Sequence, residues 1–112
     1  AGGHSYGGRL TSMAVADDGL DLDVLTLLSY PLHPPGKPER ARTEHLPRIT
    51  VPTVFTHGTA DPFGGVEEIR LATALIPAAN EIVEIHGARH DLGSKKFDVP
   101  ALTVDAALRM LN

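Results

Sequence analysis

Two hydrophobic periods alternate along this chain. In residues 6–16, Leu10, Met13 and Ala14 fall on one helical face, and Asp17-Asp18-Gly19 closes the segment. Leu22 to Tyr30 is an almost continuous apolar run, with Val24, Leu25, Leu27 and Leu28, and Pro31 stops it. That pattern predicts a parallel strand covered on both faces. Thr53 to Gly58 reads as a second strand and Glu81 to His86 as a third. Between them Val66 to Ile76 is a helix with Ile69, Ala72 and Ile76 on one face, closed by Pro77. Pro100 to Leu111 is a final helix, with Ala101, Val104, Leu108 and Leu111 as its apolar stripe. Asp105 and Arg109 are spaced to pair on its outer face. Loops fill Asp61–Gly65 and Gly87–Asp98. Strands alternating with helices predict β-α-β units, hence an α/β domain over residues 1–112 with three parallel strands flanked by helices.

Residues 31–50 break the pattern. Pro31, Pro34, Pro35, Gly36, Pro38 and Pro47 crowd together, with Lys37, Arg40, Arg42 and Arg48 among them. They predict a long, stiff excursion with one short helix near Glu39–His45. Long loops inside compact domains tend to be functional. The plainer reading is a proline-stiffened surface connection with a solvated charged face.

Composition narrows the class. A hydrophobic content of 42% suits a globular protein, and the net charge of −4 gives no reason to expect nucleic acid or an anionic membrane as partner. There is no cysteine, so no disulfide framework and no thiolate metal site. No apolar run approaches the ~18 residues of a membrane span. Aromatic content is 4% with no Trp, which argues against a base-stacking platform. Cytoplasm is the default location, because an N-terminal targeting segment would not be visible in this chain.

The chemistry sits in the loops. Gly3-His4-Ser5-Tyr6-Gly7 reads G-x-S-x-G, the nucleophile elbow of α/β-hydrolases. Its flanking glycines serve a strained turn in which backbone approaches backbone. Almost nothing precedes the elbow, and the chain begins at Ala1 without an initiator Met. The expectation is the C-terminal part of an α/β-hydrolase fold, its N-terminal strands missing. Reactive groups in such sheets collect beyond the carboxyl ends of the strands. Ser5, Asp61 and His90 all fall there, in the chain order of this fold. His90 is then the base that takes the Ser5 proton, and Asp61 fixes its tautomer. The backbone N–H of Tyr6 is one oxyanion donor. The second is expected from an earlier loop outside this sequence.

This chemistry needs no cofactor and no metal. The Gly87 turn argues against a zinc site built from His4, His86, His90 and Asp91. His4 is expected to pack or bond beside the sheet, and His57 to be a satisfied structural histidine. His33 and His45 lie in the excursion, where His33 is a candidate for substrate contact. Arg9 is a candidate cation beside the site, or else an ion-pair partner of Asp17. Lys37, Arg40 and Arg42 could attract a carboxylate or phosphate, but Glu39 and Glu44 dilute that field, which favours a solvated face.

Several stretches together resemble a known family. They are Gly3-His4-Ser5-Tyr6-Gly7-Gly8-Arg9, Leu28-Ser29-Tyr30-Pro31-Leu32-His33-Pro34-Pro35-Gly36-Lys37-Pro38, Arg42-Thr43-Glu44-His45-Leu46 and His57-Gly58-Thr59-Ala60-Asp61-Pro62-Phe63-Gly64. The family is one of small α/β-hydrolase-like proteins similar to the dienelactone hydrolases. Bacterial stand-alone members, a eukaryotic testis-expressed protein and a subunit of a histone-acetyltransferase complex share the domain. The resemblance implies Ser5, Asp61 and His90 as a catalytic triad, and a full sheet of which this chain supplies the last three strands. An open edge on the apolar strand Leu22–Tyr30 would favour self-association and marginal stability. The implied activity is hydrolysis of a small-molecule ester or related acyl bond through an acyl-enzyme, weak or absent in the shortened chain. The alternative is a non-catalytic protein-interaction module that binds through residues 31–50.

Overall fold

Strand pairing begins before Ser5. In the computed structural model, which describes residues 2–19, 22–37, 40–93 and 98–111, Gly2–His4 forms a strand, β1. It runs parallel to Leu25–Leu28 (β2), with Gly2 opposite Thr26 and His4 opposite Leu28. Thr53–Gly58 (β3) and Asn80–Ile85 (β4) complete a parallel sheet of order β1-β2-β3-β4. The sheet therefore has four strands where the hydrophobic pattern predicted three. β1 was invisible to that pattern because two of its three residues are glycines, and ladder hydrogen bonds rather than side chains define it. It also moves the open edge. The expected edge on Leu22–Tyr30 is occupied by β1, and among the described residues the edge strands are β1 and β4. β2 is shorter than its apolar run, starting at Leu25 and ending before Ser29, whose φ of 53° turns the chain.

Helices cover both faces. Tyr6–Asp18 (α1) and Val66–Thr73 (α2) lie on one side, where Val15, Ile69, Ala72 and Ile76 pack with Leu25, Leu27, Tyr30 and Phe55. Val99–Leu111 (α3) lies on the other, with Val99 and Leu102 against Leu28, Val83 and Ile85. Alternate residues of each strand thus serve opposite layers. The α2 face agrees with its periodicity. Those of α1 and α3 do not. α1 buries Gly8, Ser12 and Val15 and leaves Leu10 exposed. α3 buries Thr103 and Ala106, while Val104, Leu108 and Leu111 face outward. Both helices carry apolar residues on more than one side, so closeness of approach decides. Small side chains let the backbone come near, and the Thr103 hydroxyl meets that of Thr56 at 2.8 Å. The expected Asp105–Arg109 pair is replaced by Arg109 bonding to Glu81 at 2.6 Å.

The proline-rich excursion is part of the core. Leu32, Leu46, Ile49 and Val51 are buried in the same cluster as Phe55. The Tyr30 hydroxyl donates to the Arg42 carbonyl at 2.7 Å, closing the loop on itself. Of the helix expected near Glu39–His45, Pro38 and Glu39 lie outside the described residues, residues 41–43 are not helical, and a 3-10 turn follows at Leu46–Arg48. Part of the Gly87–Asp98 loop, residues 94–97, lies outside them too. Among the described residues no helix is long and apolar enough to cross a membrane.

Candidate active site

Ser5 joins β1 to α1 with φ 53° and ψ −122°. A positive φ at a non-glycine residue costs on the order of 1–3 kcal/mol and needs support from its surroundings. The support is local. The Ser5 N–H donates to the Leu28 carbonyl at 2.7 Å, and the Ser5 carbonyl accepts from the Arg9 N–H at 3.0 Å. The tight packing falls on an unexpected glycine. A Cβ on Gly3 would lie 2.6 Å from the Gly8 nitrogen, and one on Gly8 would lie 2.7 Å from the Gly3 oxygen. A Cβ on Gly7, the last glycine of the motif, would meet nothing within 4 Å. Gly3 and Gly8 are thus the pair that lets the helix fold back over the strand.

Asp61 follows β3, and its Oδ1 accepts from the Phe63 N–H at 2.7 Å. His90 follows β4. Gly58 brings the two loops together: a Cβ there would lie 2.2 Å from the Ala88 carbonyl oxygen. The Ala60 N–H donates to that same oxygen at 2.9 Å. His90 Nδ1 then stands 2.8 Å from Asp61 Oδ2, and His90 Nε2 stands 2.6 Å from Ser5 Oγ. The Asp61 side chain has no solvent exposure, while that of His90 retains 22%. The structure brings all three predicted residues into one hydrogen-bonded chain. Tyr6 opens α1, so its N–H belongs to the first turn, whose N–H groups have no intrahelical acceptor.

Other groups gather around that chain, among them His4 and His57, which the sequence marked as structural, and Phe63, whose role it did not indicate. Phe63 stacks on the His90 ring with centroids 4.2 Å apart. His4 bonds through Nε2 to the His90 carbonyl at 3.0 Å, tying elbow to base loop. His57 is fully buried and donates from Nε2 to the Gly64 carbonyl at 2.6 Å. Its Nδ1 has no partner among the described residues, so it is only half satisfied. Burial holds its pKa below the usual histidine value. The excursion also reaches the acid loop, where the His33 N–H donates to the Phe63 carbonyl at 3.0 Å.

His33 itself is not presented to a substrate. Its ring is buried, with Nε2 2.7 Å from Glu68 Oε2 and Nδ1 2.8 Å from the Pro34 carbonyl. Both nitrogens are engaged, so the expectation of substrate contact gives way to a structural tie between excursion and α2. Arg9 does not pair with Asp17. Arg48 takes that carboxylate at 2.6 Å. A concavity of about 270 Å³ lies between the excursion and α2, lined by Leu32, Thr43, Glu68 and Leu75 among others, and none of the Ser5, Asp61 or His90 side chains reaches it.

A parallel sheet with helices on both faces, carrying serine, acid and histidine beyond the ends of β1, β3 and β4, defines an α/β-hydrolase architecture. The chain belongs to the alpha/beta hydrolase domain family, whose pattern matches residues 1–107. Est1E from Butyrivibrio proteoclasticus, solved with ferulic acid bound, is 18% identical over 98% of this chain and 57% of its own, with a TM-score of 0.70. The thermophilic esterase Est2 of Thermogutta terrifontis is 25% identical over 99% of this chain and 53% of its own, at 0.65. The esterase domain of a Rhodothermus marinus protein is 15% identical over 96% and 59%, at 0.69. The chain spans about half the length of the solved structures it matches.

Proposed function

We propose that this protein is a serine hydrolase that cleaves a small-molecule ester or related acyl bond through an acyl-enzyme. The observation that carries this is the unbroken hydrogen-bond chain from Ser5 through His90 to Asp61, at 2.6 and 2.8 Å. Ser5 Oγ attacks the acyl carbon as its proton passes to His90 Nε2. Asp61 Oδ2 holds the proton on Nδ1 and stabilises the imidazolium. The Tyr6 N–H and the positive end of α1 face the developing oxyanion. Collapse expels the alcohol, which takes the proton from Nε2. Water, deprotonated by His90, then releases the carboxylic acid and restores Ser5.

Family membership and esterase neighbours support the same acyl chemistry, and the dienelactone-hydrolase-like motifs agree with it. The excursion carries exposed residues such as Lys37, Arg40 and Glu44, but Leu32, Leu46 and Ile49 anchor it in the core, so holding the fold together accounts for it without a binding partner. Intact-mass analysis after a fluorophosphonate probe tests the proposal. A single adduct that disappears in Ser5→Ala is expected. A folded protein that takes no adduct, or one that labels equally in Ser5→Ala, would remove Ser5 as nucleophile.

A further inference from the structure

Two arginines meet beside the elbow, and among the described residues neither has a counter-ion. The guanidinium carbon of Arg9 lies 5.9 Å from the centroid of the Tyr6 ring, and that of Arg42 lies 5.6 Å from it. Tyr6 follows Ser5 directly and its ring is 57% exposed. Arg9 is on α1, whereas Arg42 belongs to the excursion, so the fold assembles this group from distant segments. Among the described residues no carboxylate lies within ion-pair distance of either. Asp17, the acid best placed in sequence, is held by Arg48. Arg9 Nε is buried and has no hydrogen-bond partner among the described residues. Arg42 spends one N–H on the Pro31 carbonyl at 3.1 Å and has donors to spare. Both cations also act on the buried Tyr30 hydroxyl. Burial pushes that group up to about 12, against the fields of Arg9 and then Arg42.

Half-buried guanidiniums around one ring repel each other, and an unpartnered buried N–H is costly. A ligand anion relieves that repulsion, and the planar donor fork of arginine suits an oxyacid group. We infer that Arg9 and Arg42 form an anion-binding subsite, with Tyr6 as its apolar floor, that selects esters carrying a carboxylate or phosphate. This deepens the hydrolase proposal by naming a substrate class, and it rests on Ser5 being the reacting group.

The test is an NMR titration of the Ser5→Ala protein with monoethyl succinate, monoethyl phosphate and the neutral diethyl succinate. At least one anion is expected to bind about tenfold tighter than the neutral diester, the scale of one charge-assisted hydrogen bond. Whichever monoester binds tighter names the group. Arg9→Gln and Arg42→Gln should each erase the preference, while Arg9→Lys and Arg42→Lys keep part of it. Added salt should weaken the anions alone, a readout that survives if a glutamine variant fails to fold. Equal binding of charged and neutral esters, or a preference that neither arginine nor salt alters, overturns the subsite. An arginine-dependent preference without fluorophosphonate labelling of the wild type would keep the subsite and discard the hydrolase. Labelling without the preference would do the reverse.

Discussion

The two ends of the Ser5–His90–Asp61 chain are built on different foundations. At the acid end, β3 is buried along its whole length and the Asp61 side chain is shut from solvent. Its loop is tied by His57 to the Gly64 carbonyl and by the His33 N–H to the Phe63 carbonyl. At the serine end, β1 has three residues, and Gly2 and His4 are exposed. Leu10, on the helix that follows, is 59% exposed. Tertiary packing therefore fixes the acid, whereas Ser5 depends on a short ladder and on two glycine backbones in contact. Damage at the acid end should appear in chemistry or in global stability. Damage at the serine end should appear in local geometry.

The largest effect should come from the acid. Asp61→Asn can keep the bond from the Phe63 N–H through its amide oxygen, so the fold should survive. Its NH₂ would face His90 Nδ1 and move the ring proton to Nε2, which then cannot accept from Ser5. Fluorophosphonate labelling should slow by about 10⁴-fold with little change in melting temperature. A rate within tenfold of wild type would detach Asp61 from the tautomer of His90.

Next comes the packing of the excursion, whose turn at Leu46–Arg48 lies against α1. Leu46 is fully buried, and Leu46→Ala should cost about 2–5 kcal/mol in urea unfolding. A loss below about 0.5 kcal/mol would return the excursion to the surface. The serine end has its own weak point. In Gly8→Ala the new Cβ would press on the Gly3 oxygen at 2.7 Å, backbone against backbone. A cost of about 1–3 kcal/mol is expected, with slower labelling of Ser5. Unchanged labelling would mean that the elbow holds its shape without this contact.

The contrast explains what the sequence made legible. β3 and the buried face of α2 could be read because central, covered elements carry strong periodic signals. The three reactive residues could be read because their motif and loop order are fixed by strand topology. β1 could not, since glycines pair through backbone alone. The faces of α1 and α3 were misassigned because each helix has more than one apolar side, and Gly8, Ser12 and Thr103 win by their small size. The excursion was misjudged because its prolines and charges outnumber the few side chains, Leu32, Leu46 and Ile49, that anchor it. The meeting of Arg42 with Arg9 depends wholly on that misjudged path.

A smaller effect is set by pH. His57 and His45 both have pKa values lowered by burial. The unfolded chain then binds more protons than the folded one between the folded values and about 6.5. Stability should be flat above about pH 6.5 and fall as pH drops below it, by up to about 1.4 kcal/mol per pH unit for each histidine. His57→Gln, measured by urea unfolding from pH 7 to 5, should fall less steeply than wild type. Identical slopes would assign the dependence elsewhere.

The smallest effect separates motif from geometry. Gly7 belongs to G-x-S-x-G, and by motif alone it should tolerate replacement no better than Gly3. By geometry it sits in the first turn of α1 with open space where a Cβ would go. Ala is the better helix former, by up to about 1 kcal/mol in a helix interior and less at an end. Gly7→Ala should therefore leave stability within about 0.5 kcal/mol and keep labelling of Ser5 near the wild-type rate. Paired with Gly8→Ala, it asks which glycine holds the nucleophile in place. Losses of equal size in the two variants would show that the turn needs backbone freedom at Gly7 as well as room at Gly8. The serine end would then rest on conformational freedom along the turn rather than on a single close contact.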